Sequence, residues 1–243
     1  MRILLILILT TFITAVKADE IYNLIKIPNL DIYKIDTKSK IRYLNSRNDF
    51  RIGLEKNITC ARTDTNNLSN KFLIIEKNLN SYSSSFLKKN NIRYLVMCEN
   101  LFISNINTGG IPDTKKRTLI IDINFNSKYF ERMIHHEIFH MIQKSNSKYF
   151  DEQKWVSLNK DDFEYTRCST CSDRLNLDLY KNTEGFLTEY SKSIPSEDMA
   201  EVFSFLMTDK AKVEDKSDDD IILKNKINFI KSSLSKIDSS FKF

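Results

Sequence analysis

The sequence predicts an α+β fold: a small sheet with its edge strand packed on a histidine-bearing helix, followed by a mainly helical C-terminal part. Three observations carry this reading. Arg117–Phe125 (Arg-Thr-Leu-Ile-Ile-Asp-Ile-Asn-Phe) is a β-branched run that follows the strongest turn signal of the chain, Gly109-Gly110-Ile111-Pro112-Asp113. Apolar residues then recur at helical spacing to about Lys144, and again over Pro195–Met207. A strand leading directly into a helix, with helices after it, places one sheet edge beside the first helix and leaves the C-terminal part to cover it.

The first helix holds all three histidines of the chain, His135, His136 and His140, within Met133-Ile134-His135-His136-Glu137-Ile138-Phe139-His140. At 3.6 residues per turn, His136 and His140 share a stripe, close enough for both imidazoles to reach one metal ion. Taking about 100° per residue, Phe130, Ile134, Ile138, Met141 and Ile142 centre about 150° away, so the stripe faces a cleft. Glu137 lies beside the stripe, placed to activate a water without being a ligand. The pattern H-E-x-x-H is that of a zinc-dependent hydrolase. His135 points off the stripe and is expected on the surface. Asn126 or Ser127 is expected to cap the helix.

From the beginning of the chain, Met1-Arg2 and the apolar run Ile3–Val16 read as a secretory signal peptide cleaved near Ala18. The run is shorter than the roughly 20 residues a bilayer span needs. Residues 19–243 are then expected to form a single exported domain, with an N-terminal part (19–115) and a catalytic core (116–243), acting as a monomer with no stable membrane insertion. Four glycines and three prolines with 41% apolar residues leave little room for disordered linkers. The net charge of +5 is dispersed; Lys115-Lys116-Arg117 is a short run without interleaved aromatics, so nucleic-acid binding has no support.

Four cysteines, Cys60, Cys98, Cys168 and Cys171, fit an oxidising compartment and allow three pairings. Cys60 with Cys98, and Cys168 with Cys171 as a local clip, are the expected ones. Cys168-Ser169-Thr170-Cys171 could otherwise be a redox pair, but as half of a zinc knuckle it lacks partner ligands. Asn57-Ile58-Thr59 and Asn67-Leu68-Ser69 are glycosylation sequons. Residues 19–70 show poor periodicity. Glu76–Asn90 is expected to be one helix, and Ile92–Cys98 a strand.

A catalytic zinc site takes three protein ligands and keeps one position open, so with no histidine left the third ligand must be a carboxylate or a thiolate. The longer pattern with a third histidine is absent, since Gln143 and Asn146 stand where it needs glycine and histidine. Pro195-Ser196 signals a helix start, after which Glu197 and Glu201 share one stripe about opposite Met199, Val202, Phe203 and Leu206. Either glutamate suits the role; the bland alternative is a solvated acidic face.

His136-Glu137-x-x-His140, then Tyr190, then Glu197-x-x-x-Glu201-x-Phe203 resembles the catalytic domain of anthrax lethal factor and its relatives, among them the secreted Pro-Pro endopeptidases. The resemblance spans about Leu119–Ile237, including an expected closing helix at Ile221–Ile237. Trp155–Tyr165 and Gly185-Phe186-Leu187-Thr188-Glu189-Tyr190 also look like a group of zinc metallopeptidases with an E-D-x-A-E signature. It implies a zincin-like fold, one zinc ion held by His136, His140 and Glu197, and Glu201 supporting a ligand from behind. Tyr190, seven residues before Glu197, would stabilise the tetrahedral intermediate. The expected function is therefore hydrolysis of protein or peptide substrates by a secreted zinc metalloendopeptidase, through a zinc-bound water activated by Glu137. A secreted zinc-binding interaction protein without catalysis is the alternative. The longer His140–Glu197 connection with its two cysteines departs from lethal factor, and residues before 100 match nothing in it.

Overall fold

The computed structural model describes residues 27, 29–170, 175–180 and 183–243. The proposed signal peptide lies outside them. A mixed sheet runs in the order β1 (Leu30–Lys34), β2 (Arg42–Ser46), β5 (Tyr94–Ile103), β8 (Thr118–Asp122), β7 (Gly110–Asp113). The strands β2, β5 and β8 are parallel, whereas β1 and β7 run antiparallel at the two edges. The distal half of β5 pairs instead with β4 (Ile58–Ala61) and β6 (Ile106–Asn107), and β4 with β3 (Phe50–Ile52).

Alternation along the central strands sorts side chains into two cores. Leu95, Met97, Leu119 and Ile121 face the larger one, shared with the helices; Tyr94, Val96, Cys98 and Ile120 face a smaller one with Ile27, Leu44 and Phe50. The expected Cys60–Cys98 disulfide closes the smaller core. Cys168 is also disulfide-bonded; its expected partner, Cys171, lies outside the described residues.

The helices are α1 (Thr65–Leu79), α2 (Ser84–Lys89), α3 (Phe130–Ser145), α4 (Glu152–Val156), α5 (Pro195–Thr208), α6 (Lys210–Asp218) and α7 (Ile221–Ile237). The fold is α+β, with α3 packed on the sheet beside β7 and a helical C-terminal part packed on α3. No helix among the described residues is long and apolar enough to cross a membrane.

Four local expectations change. The single helix over Glu76–Asn90 is two helices, because Asn80–Tyr82 turns and the Ser83 hydroxyl accepts from Phe86 N to start α2. The strand within Arg117–Phe125 is the shorter β8, and it is internal. The edge is β7, formed by the residues read as a turn; its proline is tolerated because an edge strand has one unpaired side. Neither Asn126 nor Ser127 caps α3, which begins at Phe130 after an Asn126 turn that accepts from Lys128 N and Tyr129 N.

Two buried acids hold this frame. Asp122, at the end of β8, accepts from Asn100 N, Leu101 N and Asn124 N, fixing the bend of β5 and the exit toward α3. Asp198 Oδ2 accepts from Lys226 Nζ at 2.7 Å, Trp155 Nε1 at 2.9 Å and the Tyr165 hydroxyl at 2.6 Å. Lys226 also donates to Gly185 O at 2.8 Å, so α4, α5, α7 and the loop before α5 meet at one buried ion pair. Removing one partner of such a pair strands a charge and typically costs 3–5 kcal/mol, about what is expected here for Lys226→Met. Urea unfolding should show it, and Lys226→Met with Asp198→Asn should recover part of the loss.

Candidate metal centre

The helices α3 and α5 pack face to face, and each delivers one stripe to the contact. From α3 come His136 and His140; from the first turn of α5 comes Glu197. Glu197 Oε2 lies 2.9 Å from His136 Nε2 and 3.1 Å from His140 Nε2, and the two imidazole nitrogens are 3.1 Å apart. Behind them, His136 Nδ1 is 2.9 Å from Glu201 Oε1, and the Thr188 hydroxyl donates to Glu201 Oε2 at 2.9 Å. Arg132, one turn before His136, sets its guanidinium 3.8 Å from the same oxygen and over the ring of Phe205. These contacts hold Glu201 below the usual carboxylate range although burial opposes it. An ionised carboxylate can only accept, so Nδ1 of His136 carries a proton and Nε2 is turned toward Glu197 and His140.

This donor set fits a metal cation. His136, His140 and Glu197 form the cluster among the described residues that could hold an ion. A tetrahedral ion with bonds of about 2.0–2.2 Å keeps its ligand atoms roughly 3.3–3.6 Å apart, a few tenths wider than the spacings here. The electrostatics ask for positive charge at the same point. Burial alone would depress His136, yet its contacts to Glu197 and Glu201 raise it to about 10. Glu197 is held far below the usual range, because the two histidines outweigh its burial. Two imidazoles and a carboxylate converging on one point, with the other face of His136 anchored, make a three-ligand site of the kind zinc takes.

Glu137 follows His136 on α3, 8% exposed, facing the cleft beside β7. A Cβ at Gly110 would stand 2.7 Å from Glu137 Cγ and 3.0 Å from the carbonyl of Ile120, so β7 approaches α3 this closely only because residue 110 is glycine. Burial pushes the Glu137 carboxyl up, against the pull of His136 and His140. Tyr190 begins a short turn that hangs on Glu201: Thr188 and Ser191 bond to each other on either side of it, and Thr188 bonds Glu201. Its ring lies 6.0 Å from that of His136, and burial together with the charges of Glu197 and Glu137 keeps the phenol protonated. All six residues singled out in the sequence line one cleft of about 940 Å³, whose walls include Ile111, Phe125, Met133 and Phe150.

One histidine departs from expectation. His135 is buried, not on the surface: Nε2 donates to Asn78 Oδ1 at 2.9 Å, and Nδ1 accepts from the Tyr82 hydroxyl at 2.6 Å. Burial depresses it to about 3, so it is a neutral pin between α3 and the α1–α2 turn. The sequence reading misses Arg132 and Thr188, for which the available signals are that Arg132 lies on the histidine stripe four residues before His136 and that Thr188 belongs to the Gly185–Tyr190 stretch.

A family model described as "Putative zinc-binding metallo-peptidase" matches residues 104–237, more than half of the chain. The chain belongs to this family. The match begins before β7 and ends with α7, so it contains every element that supplies the site. A crystal structure of a putative zinc-binding metallo-peptidase from Bacteroides caccae ATCC 43185 is similar at 18% identity and a TM-score of 0.48, covering 77% of this chain and 76% of that one. No curated protein matches.

For a member of a zinc-binding family, the contacts of Glu201 predict that Glu201→Gln lowers zinc affinity by 10–100-fold, the usual cost of losing a carboxylate behind a ligand histidine. His140→Ala and Glu197→Ala should lose more, measured by competition with a chromogenic chelator. Full zinc retention in Glu197→Ala would place the third ligand elsewhere.

Proposed function

We propose that this chain is an exported zinc-dependent endopeptidase, with His136, His140 and Glu197 holding one zinc ion, Glu137 as general base and Tyr190 as oxyanion donor. The observation that carries the reading is the convergence of these five side chains on one cleft beside β7, which among the described residues pairs with β8 alone. Bound there, zinc would supply Lewis acidity, making water nucleophilic near neutral pH and polarising a carbonyl. The finer likeness to the lethal factor group, E-x-x-A-E-x-F with its upstream tyrosine, supports the same roles. The N-terminal sequence and the disulfide-bonded cysteines support export, and an exported monomer acting on peptides is the reading we adopt.

The chain's own residues supply the rest of the chemistry. Gly109 faces Asp122 in the β7–β8 ladder, and Asp122 N donates to Gly109 O. Antiparallel hydrogen-bonded pairs alternate, so the backbone groups of Gly110 and Pro112 point away from β8. An extended peptide can add to that side by main-chain bonds, pairing with Gly110 N–H and C=O and donating to Pro112 C=O. Glu137, alongside Gly110, takes a proton from the attacking water and returns it to the departing amine; a carboxyl raised by burial is suited to both transfers. Tyr190, still protonated, donates to the oxygen that gains charge, an interaction worth about 2.7–4 kcal/mol in comparable sites.

A zinc-binding interaction protein would need the three ligands only. Glu137→Gln separates the readings. The variant should keep zinc like the parent while cleavage of a mixed peptide library falls by at least about a hundredfold. Tyr190→Phe should also keep zinc and lose activity through kcat. A parent that binds zinc and cleaves nothing in the library would favour the interaction protein.

The Gly110 contact gives a further prediction. Gly110→Ala should displace Glu137 and lower turnover by about tenfold or more, since small misplacements of reacting groups are costly. Zinc content should stay at the parent level, because the nearest atoms to that Cβ belong to Glu137 and Ile120 and not to the three candidate ligands.

A further inference from the structure

The two ends of the cleft along α3 differ in chemistry. Past His140, toward the C-terminal end of the helix, polar side chains line it, Gln143, Lys144, Asp151 and Glu152 among them. One turn before Glu137 the lining becomes apolar. A Cβ at Gly109 would collide with Met133 Cγ and stand 3.4 Å from Phe125 Cδ2, so these two side chains lie together against the backbone that leads into β7. β6 comes just before that point and brings Ile106, 39% exposed, to the same side. The other side is formed by residues 175–178. Arg132 Nη2 donates to Leu177 O at 2.6 Å, the Tyr129 hydroxyl to Asp178 Oδ1 at 2.7 Å, and Tyr190 N to Asn176 O at 3.1 Å. These bonds lay the segment across the first turns of α3, where Leu175, 51% exposed, and the half-buried Leu177 line the cleft. Single exposed apolar residues are ordinary, but several gathered on both sides of one cleft mark a place that an apolar group covers.

The direction of β7 decides which part of a substrate reaches this end. The chain meets Met133 at Gly109 and Glu137 at Gly110, so it advances here in the same sense as α3. A peptide that exchanges both backbone bonds with Gly110 is antiparallel to β7 and runs the opposite way. Its residues C-terminal to the bond attacked beside Glu137 therefore pass over Met133 and Phe125. One helical turn is about 5.4 Å and one strand residue about 3.3 Å, so that distance corresponds to the first or second residue after the bond. Resting on the endopeptidase reading above, we propose that this end of the cleft is a specificity pocket. It selects a large apolar side chain, leucine, methionine or phenylalanine, at the first or second residue after the cleaved bond. Ile106 and Leu175 determine the preference, and Met133, unbranched and adaptable, fits side chains of differing shape. A charged side chain would lose its water there without gaining a partner. Arg132, which also borders this end, is engaged by Glu201 and Leu177 O.

The test has two arms. In the first, the full mature chain loaded with zinc cleaves a mixed peptide library, and mass spectrometry of the new termini locates the cuts. Leucine, methionine and phenylalanine should be enriched in the two positions after the cut. Replacing that residue by alanine in one selected substrate should lower kcat/KM by about tenfold or more. Ile106→Glu and Leu175→Glu each put a carboxylate into the pocket and should turn the preference there toward lysine or arginine, with zinc content unchanged. Both positions are exposed, so the variants should fold, which circular dichroism checks. In the second arm, which needs no hydrolysis, Glu137→Gln is titrated with a fluorescein-labelled alanine hexapeptide carrying leucine at its fourth position, and with its aspartate counterpart. Fluorescence anisotropy should show the leucine peptide binding at least about tenfold tighter, and adding Ile106→Glu should abolish the difference. Cleavage without apolar enrichment in those two positions, or an enrichment that both glutamate variants leave intact, would overturn the pocket and leave the endopeptidase reading standing. A parent that cleaves nothing, while Glu137→Gln separates the two peptides through Ile106, would overturn the endopeptidase reading and keep the pocket as a peptide-binding site. No cleavage together with equal or absent binding of the two peptides would overturn both.

Discussion

Glu201 must remain ionised at 2% exposure, and much of the site's geometry follows from how that is done. A buried carboxylate is costly unless it is paired and hydrogen-bonded. Its partners come from three directions: His136 from α3, Thr188 from the turn before α5, and Arg132 from one turn earlier on α3. Meeting these demands fixes the rotation of α3 about its axis and the depth at which α5 sits. It also fixes the turn carrying Tyr190, because that turn is tied to Thr188 through Ser191. The face of His136 opposite Glu201 is then turned to His140 and Glu197, so the electrostatic needs of one acid behind the site arrange the ligand atoms in front of it.

The same logic runs along α5, which carries three buried acids in its first two turns: Glu197 and Glu201 share His136 between them, and Asp198 is answered from elsewhere in the chain. Glu197 meets the two histidines, Asp198 meets Lys226 with Trp155 and Tyr165, and Glu201 meets His136 from its other ring nitrogen together with Arg132 and Thr188. Successive residues on a helix point about 100° apart, so Glu197 and Asp198 turn to different partners and α5 is gripped from two sides. A helix loaded with acids would be unstable in an apolar interior; with each acid satisfied, the loading becomes a means of orientation.

What could be read from the sequence, and what could not, follows from the range of the interactions. The motif helix and α5 are legible because each carries a strong 3.6-residue period, and the histidine count shows that the site is short of one ligand; α7, and Glu197 rather than Glu201 as that ligand, come only from the family resemblance. The burial of His135 is not legible, because its angle on the helix says only that it lies off the histidine stripe; the Tyr82 and Asn78 that bury it are more than fifty residues away. The edge strand reads as a turn in the sequence because Gly109, Gly110 and Pro112 are turn residues by composition, and the collision with Glu137 that demands glycine exists only after α3 packs. Residues 29–70 read poorly since their strands are short and pair across gaps in sequence, β2 with β5 and β4 with β5.

Strand β5 explains how so irregular an N-terminal half still delivers a precise cleft. Its first half is central in the parallel part of the sheet, and its second half leaves to pair with β4 and β6. The Cys60–Cys98 disulfide and the Asp122 carboxylate act where the two halves join: the first ties β4 to β5, the second ties Asn100 and Leu101 to the end of β8. With β8 fixed at that end, β7 is fixed against β8, and Gly110 is brought into contact with Glu137. The reach of the site therefore extends from the ligands through one glycine into the sheet. A change at the bend of β5 would act on Glu137 through β8 and β7 while leaving His136, His140 and Glu197, which are set by the α3–α5 contact, where they are.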